Sequence, residues 1–495
     1  MIDHPHYQSF VQAAKLEIDT LRKKNAFVEV NKPTDQSMQI LPLKWVFNYK
    51  FNSDRLLTKH KARICVRGDL ERVSIDEKYS ATLAVRTARF VFALAAHFDL
   101  DTTQWDAVNA FLNSLLPNEV YVELPPGMFP QNRKKRCWKL VKALYGLRKS
   151  PRLWQQEASR VLTALGFQVV YEDLCLFVRE GLIIIFYVDD LILFNHPSQR
   201  AEAADVSKRL NEAWELRAMG EAQWFLVIAY KYHLTGGRKL EVPPVEIANL
   251  KPFDRTATDK HRLEYSSKVG SAQYATTITR VDVAKVTSHL AQFLSNPSPD
   301  HLHAIAQLIS FMYQTRSRAI YFRRNTSGLP SVQFCSDASF GDNHDRKSSG
   351  GYLYKIFGGP VDWKAAKQRT VTTSTTEAKL LAISEAGKSM RMWERIFHRV
   401  MFNPGHPVSI QCDNKQTISL LTKEAPHLRT KLRHIDIHQH WLHQEVQAGR
   451  IPVEWVPTAE IDADGLTKLL PRQKHARFVR QLGMEDIGYL LERLD

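Results

Sequence analysis

Two adjacent carboxylates, Asp189 and Asp190, stand between the apolar runs Ile183-Ile184-Ile185-Phe186-Tyr187-Val188 and Leu191-Ile192-Leu193. β-Branched and aromatic residues on both sides predict two buried strands joined by a tight turn, with the acids at its tip. Neighbouring negative charges in a half-buried setting are costly unless a cation neutralises them. A pair of divalent ions does so, and such ions also organise phosphoryl transfer. A third acid, Asp106, lies upstream in Gln104-Trp105-Asp106-Ala107-Val108-Asn109-Ala110-Phe111-Leu112. Alone it would read as a helix N-cap before an Ala-rich segment; beside the acidic hairpin it is also a candidate third acid. Downstream is a second set. Asp337 follows the short apolar run Phe334-Cys335, Glu377 sits in the first turns of an Ala- and Leu-rich helix, Asp413 ends Ile410-Gln411-Cys412, and Asp464 opens Asp464-Gly465-Leu466-Thr467-Lys468. Three acids at element ends and one on a helix form the layout of a two-metal nuclease.

Positioning these acids takes alternating strands and helices. Phe10 to Leu21 and Arg152 to Leu165 read as amphipathic helices, the second ending at Gly166. Ser348 to Ile356 alternates as a strand does. The stretch Gly236 to Ser267 contains Gly-Gly, Pro-Pro and mixed charge, and its helical periodicity is poor. Phe90 to Leu100 is a further apolar segment.

The 495 residues are enough for two or three domains with sizeable cores. Apolar content of 44% and charged content of 24% are those of an ordinary globular protein. No apolar run is long enough to span a bilayer, and Met1-Ile2-Asp3-His4-Pro5-His6 lacks the layout of a signal peptide, so an intracellular protein is expected. Five scattered cysteines, never spaced C-x-x-C, argue against a disulfide framework and a zinc finger, and Cys335 and Cys412 read as small buried strand residues. A formal charge of +16 points to a polyanionic partner, and the motifs favour nucleic acid over a membrane surface. Arg133-Lys134-Lys135-Arg136, the densest basic run, reads as a solvated loop. His434 and His438 have the i, i+4 spacing of zinc ligands, but no cysteine lies nearby and a helix surface close to nucleic acid is the better reading.

The chain resembles the reverse transcriptase of copia-type LTR retrotransposons, from about Tyr7 to Leu470. The resemblance rests on ordered motifs: Leu43-Lys44-Trp45-Val46-Phe47 through Lys50, Lys61-Ala62-Arg63-Ile64-Cys65-Val66-Arg67-Gly68, Asp106 to Leu112, Leu124-Pro125-Pro126-Gly127, Leu144-Tyr145-Gly146-Leu147-Arg148, and Tyr187 to Asp190. The later acids are similar to those of the copia-type RNase H domain. What the resemblance implies is an α+β, α/β multidomain chain. A right-hand polymerase fold with fingers, palm and a shortened thumb precedes an RNase H-like mixed-sheet α/β domain. The implied division is 1–235 for fingers and palm, 236–330 for a reduced thumb and connection, 331–470 for the RNase H-like domain and 471–495 for a tail.

By the same resemblance Asp106, Asp189 and Asp190 hold two Mg2+ ions, with Mn2+ as a substitute, in an RNA-directed DNA polymerase. Asp337, Glu377, Asp413 and Asp464 hold the metals of a linked RNase H. Lys61 and Arg63 grip the nucleotide triphosphate, and Phe111 lies under the sugar and excludes a 2′-hydroxyl. Tyr145 and Gly146 pack against nucleotide and template base. The implied partners are an RNA template, primer-template, RNA–DNA hybrid, deoxynucleoside triphosphates, and the integrase and capsid parts of the same element, with no membrane. The implied location is a cytoplasmic virus-like particle or the nucleus.

Three positions depart from the family's pattern. Phe225-Leu226-Val227 stands for Phe-Leu-Gly, Thr279-Arg280-Val281-Asp282 for Thr-Arg-Pro-Asp, and Lys149 for Gln. With the short thumb, these touch duplex handling and imply impaired polymerisation. The alternative function is therefore a degenerate or host-recruited copy that binds nucleic acid without productive DNA synthesis.

Overall fold

The computed structural model describes all residues except 1–3, 36, 52–55, 73–80, 130–134, 221–239, 241, 245, 325–327, 424–432 and 492–495, together with the side chains of 220, 433–439, 490 and 491. Val227, Arg133 and Lys134 lie outside the described residues, as do the side chains of His434 and His438, although Arg433–Gln447 is helical. The chain forms two compact units. The first comprises residues 1–84 and 101–222, the second 85–100 and 223–495. Among the described residues no helix is long and apolar enough to cross a membrane.

In the first unit, helix Tyr7–Lys23 buries Phe10, Ala14, Ile18 and Leu21, the i, i+4, i+8, i+11 stripe of an amphipathic helix. Strands Leu43–Phe51 and Leu57–Val66 pair antiparallel, and the second buries Ala62, Ile64 and Val66 while Lys61, Arg63 and Cys65 take the other face. A six-stranded sheet carries the acids. Its order is Leu216–Gly220, Asp101–Ala107, Asp190–Asn195, Leu182–Tyr187, Asp173–Arg179, Gln168–Val170. The acidic hairpin is central in it because both its strands are apolar enough to be covered: Leu182, Ile184, Phe186, Leu191 and Leu193 join Trp105, Phe111 and Trp154 in one core. Helix Ser150–Ala164 supplies Trp154, Ala158, Val161 and Leu162 to that core, and Gly166 follows it with φ +85°.

The second unit contains a five-stranded mixed sheet in the order Gly359–Lys367, Ser349–Ile356, Val332–Ser339, Ile410–Cys412, Val453–Trp455. The second strand runs antiparallel to both the first and the third, and the last two run parallel to the third. Helix Thr375–Arg399 packs on this sheet through Ala378, Ala382, Ile383, Ala386, Met390, Trp393 and Phe397. A helical cluster of Asp259–Ile278, Ala284–Leu290 and Pro299–Gln314 closes its own core on Tyr265, Val269, Leu290, Ile305 and Leu308. Within it Asp282 is fully buried between Arg280 and Arg318, each 2.8 Å away. Burial pushes this carboxyl up, but the two guanidinium groups outweigh that and hold it well below the ordinary range.

Three expectations change. Helix Asp259–Ile278 starts inside the stretch read as aperiodic, capped by the Thr258 hydroxyl on His261 N; its early turns carry polar and exposed residues, and its core face begins only at Tyr265. The segment 471–495 is not a loose tail over its described part. Helix Arg472–Gln481 buries His475 and Phe478, and Met484–Asp486 pairs with Arg318–Ile320. Finally, helix Val85–Phe98 belongs to the second unit, because Phe90 is fully buried against Trp393, Phe397 and Phe402.

Candidate active sites

Strand register fixes the first site. Tyr187 pairs with Asp190, so Val188 and Asp189 form a two-residue turn, and Asp190 in turn pairs with Asp106. Residues opposite each other on adjacent antiparallel strands have Cβ atoms about 4.5–5.5 Å apart. Ala107 N donates to Asp189 O at 2.7 Å, tying the turn to the end of the neighbouring strand. Asp106 is therefore a strand residue beside the acidic turn and not a helix cap. Val188 is held at φ +59°, a region rare for a β-branched residue, and the Trp154 indole N–H donates to its carbonyl oxygen.

Three carboxylates at this strand end repel one another. Burial pushes the Asp190 carboxyl up, and the charges of Asp189 and Asp106 push it further; a bond from Gln104 opposes them weakly. Arg217, opposite Asp106 on the next strand, approaches it only to 3.8 Å.

The basic and aromatic residues lie in the same electrostatic neighbourhood. Burial and the charge of Arg63 hold the Lys61 ammonium down, while Glu17 and Asp106 oppose them. Arg63 lies over the Tyr145 ring at 4.7 Å, and Tyr145 meets Phe111 edge to face at 4.8 Å. The Tyr145 hydroxyl is pushed up to about 12 by burial. Two glycines let these segments touch. Val66 N donates to Tyr145 O at 2.8 Å, and a Cβ on Gly146 would sit 2.1 Å from Val66 O. A Cβ on Gly68 would sit equally close to Gly146 O. Glu17, on helix Tyr7–Lys23, was not singled out from the sequence; a carboxylate on a helix face carries no signal until the strand it faces is known.

The second site is differently balanced. Asp337 is 1% exposed on strand Val332–Ser339, and Asp413 follows the adjacent strand Ile410–Cys412. Lys379 Nζ donates to Asp337 Oδ1 at 2.8 Å and also to Asp413 Oδ1. Lys468 Nζ lies 3.7 Å from Asp337 Oδ2 and bonds Asp464 Oδ1, while the Thr467 hydroxyl donates to Asp337 Oδ2 at 2.5 Å. Burial pushes the Asp337 carboxyl up, but Lys379 and Lys468 outweigh it and hold it below the ordinary range. Glu377 faces its own helix start, where its carboxylate accepts from Thr373 N at 2.6 Å and Thr373 Oγ1 at 2.7 Å. The sheet thus brings Asp337, Asp413 and Asp464 together through two lysines, and Glu377 bonds to Thr373. Lys379, Lys468 and Thr467 were not expected as site residues. Cys335 and Cys412 are buried strand residues as read, and burial pushes the Cys412 thiol up to about 11.

Among the described residues no three acidic, histidine or cysteine side chains are arranged to hold a metal ion. The two sites nevertheless differ in fit. The first leaves its negative charge poorly compensated, with Asp106 and Asp190 side by side, which suits divalent ions. The second already holds cations of its own between its carboxylates, so as arranged it does not fit a metal pair.

Residues 24–248 match the family model described as "Reverse transcriptase (RNA-dependent DNA polymerase)". The chain is also 29% identical, over 98% of its length, to the retrovirus-related Pol polyprotein from transposon TNT 1-94 of Nicotiana tabacum. The chain is similar to copia-type Pol polyproteins. Arabidopsis thaliana supplies two further relatives, the Pol polyproteins from transposons RE1 and RE2, at 30% and 29% identity over 91% of this chain. The chain spans 38% of the tobacco polyprotein and 32% of each Arabidopsis one, about a third of their length. A solved foamy viral protease–reverse transcriptase in complex with double-stranded DNA aligns with 90% of this chain and 69% of its own. Its TM-score is 0.46 and its identity 13%, too distant to bear on the chemistry.

Proposed function

We propose that the first unit is an RNA-directed DNA polymerase acting on primer-template with deoxynucleoside triphosphates. The observation that carries this reading is the pairing of Asp106 with Asp190 beside the Asp189 turn, with charge that the protein leaves poorly compensated. Asp106, Asp189 and Asp190 would hold two Mg2+ ions, which when bound would acidify a primer 3′-hydroxyl and neutralise the triphosphate. Lys61 and Arg63, on one face of their strand, bind and orient the triphosphate. Arg63 is braced by Tyr145, so its guanidinium is aimed before nucleotide arrives. Phe111, itself pressed against Tyr145, presents a fixed ring edge to the sugar, which favours deoxynucleotides. The surplus of positive charge adds sequence-independent attraction to the template.

The second unit is proposed as an RNase H-like domain that binds the RNA–DNA hybrid made by the first. No cleavage step is assigned to it, because the lysines stand between its acids. The test is primer extension on an RNA template with Mg2+, comparing the parent with Asp190→Asn. Extension by the parent and a loss of at least about 100-fold in the variant are expected. A parent that binds hybrid yet extends nothing would support the second reading, nucleic-acid binding without synthesis.

A further inference from the structure

We propose that Lys379 is a built-in cation that fills the metal position of the second acid set, so that this unit grips RNA–DNA hybrid without binding divalent metal there and without cutting. The inference deepens the RNase H-like reading and rests on it.

Geometry carries it. The Lys379 ammonium bonds two carboxylates, Asp337 and Asp413, that come from different strands. A single positive charge between two carboxylates on neighbouring strands is where a bridging divalent ion would have to sit. Lys379 cannot easily swing away. It is 6% exposed on the sheet-facing side of helix Thr375–Arg399, flanked by buried Ala378 and Leu380. An incoming ion would have to expel an ammonium that already has two carboxylate partners, and leave it buried without them.

The rest of the set is committed as well. Asp337 Oδ2 takes the Thr467 hydroxyl and lies near Lys468, which also bonds Asp464. Asp413 Oδ2 accepts from the Thr458 hydroxyl at 3.0 Å. Glu377 is turned to the backbone and hydroxyl of Thr373. Three aspartates thus share two ammonium groups and two hydroxyls, and the ammonium groups offset two of their three negative charges. A pocket with most of its charge offset repels the polyanionic hybrid less than a bare carboxylate cluster without metal would.

The test uses the full chain and Mn2+ as the probe, with bound ions counted from the loss of the free-ion electron paramagnetic resonance signal. Parent and Asp337→Asn are expected to bind the same number of ions. Lys379→Met is expected to bind one more, an ion lost again when Asp337→Asn is added. Without divalent ions Lys379→Met should melt at least about 5 °C below the parent, and Mn2+ should restore most of that difference. An Asp337-dependent ion in the parent overturns the proposal, as does Asp337-dependent cleavage of hybrid by the parent. That comparison needs no folded Lys379 variant. Failure of the RNase H-like reading would look different: the unit would not bind hybrid at all, while the ion counts stayed as expected.

Discussion

Replacing Gly146 by alanine tests whether the strand proposed to grip nucleotide is held by backbone contact. The residue sits at φ +92°, which costs an L-residue roughly 1–2 kcal/mol. Its new Cβ would lie 2.1 Å from Val66 O and 2.8 Å from Val66 N, and both are backbone atoms that no rotamer change can move. The two segments must separate by about 1 Å, which breaks the 2.8 Å bond from Val66 N to Tyr145 O in a buried setting, a further loss of about 1–3 kcal/mol. A combined loss of about 3 kcal/mol corresponds to a melting point lower by about 6–12 °C for a unit of this size. The same separation draws Arg63 off the Tyr145 ring, so KM for nucleotide should rise by about tenfold while kcat changes less. Gly127→Ala is the control. Gly127 has φ +74° but nothing within 4 Å of a Cβ, so only the backbone cost of about 1 kcal/mol is expected, with KM unchanged. Thermal melts and steady-state incorporation check both. If Gly146→Ala melted like Gly127→Ala and kept the parent KM, the argument from close approach would be refuted.

Trp154→Phe removes the indole donor to Val188 O at the tip of the acidic turn, and a loss of about 1–2 kcal/mol is expected, with kcat falling more than nucleotide KM; equal melting points and rates would dismiss the indole as a brace. His289, buried with its Nε2–H on Ile247 O at 3.1 Å, has its imidazole pushed down to about 4 by burial and by the charge of Lys285. Its folded value lies below the unfolded one, so its stabilisation is complete above about pH 6.5 and is lost as pH falls toward 4. At pH 5 it should account for about 2 kcal/mol of acid destabilisation, read as the difference between the parent's and His289→Gln's urea midpoints at pH 7.5 and pH 5.

The sequence shows the acidic turn because continuous apolar runs on both sides leave room for only a tight turn between Tyr187 and Asp190. Asp106 is harder to read. Its strand, Asp101–Ala107, buries only Trp105 and Ala107, and its strand identity comes from pairing with a hairpin far along the chain. Lys379 carried no signal, since a lysine two residues beyond a helix-start glutamate looks like surface until the strands it faces are in place. Phe90 could be read as core but not as whose core, because Trp393, Phe397 and Phe402 lie some three hundred residues away. Local pattern reveals elements and their buried faces; long-range register and partner choice decide the electrostatics of a site.

The path of the backbone ties the two units together. Three crossings, near residues 84, 100 and 222, link them, and Val85–Phe98 is a piece of the second unit inserted within the first one's stretch of sequence. A deletion removing everything beyond residue 222 would leave that helix with an orphaned greasy face, inviting aggregation. A boundary drawn at residue 222 therefore cuts into the second unit's core instead of separating two self-contained halves.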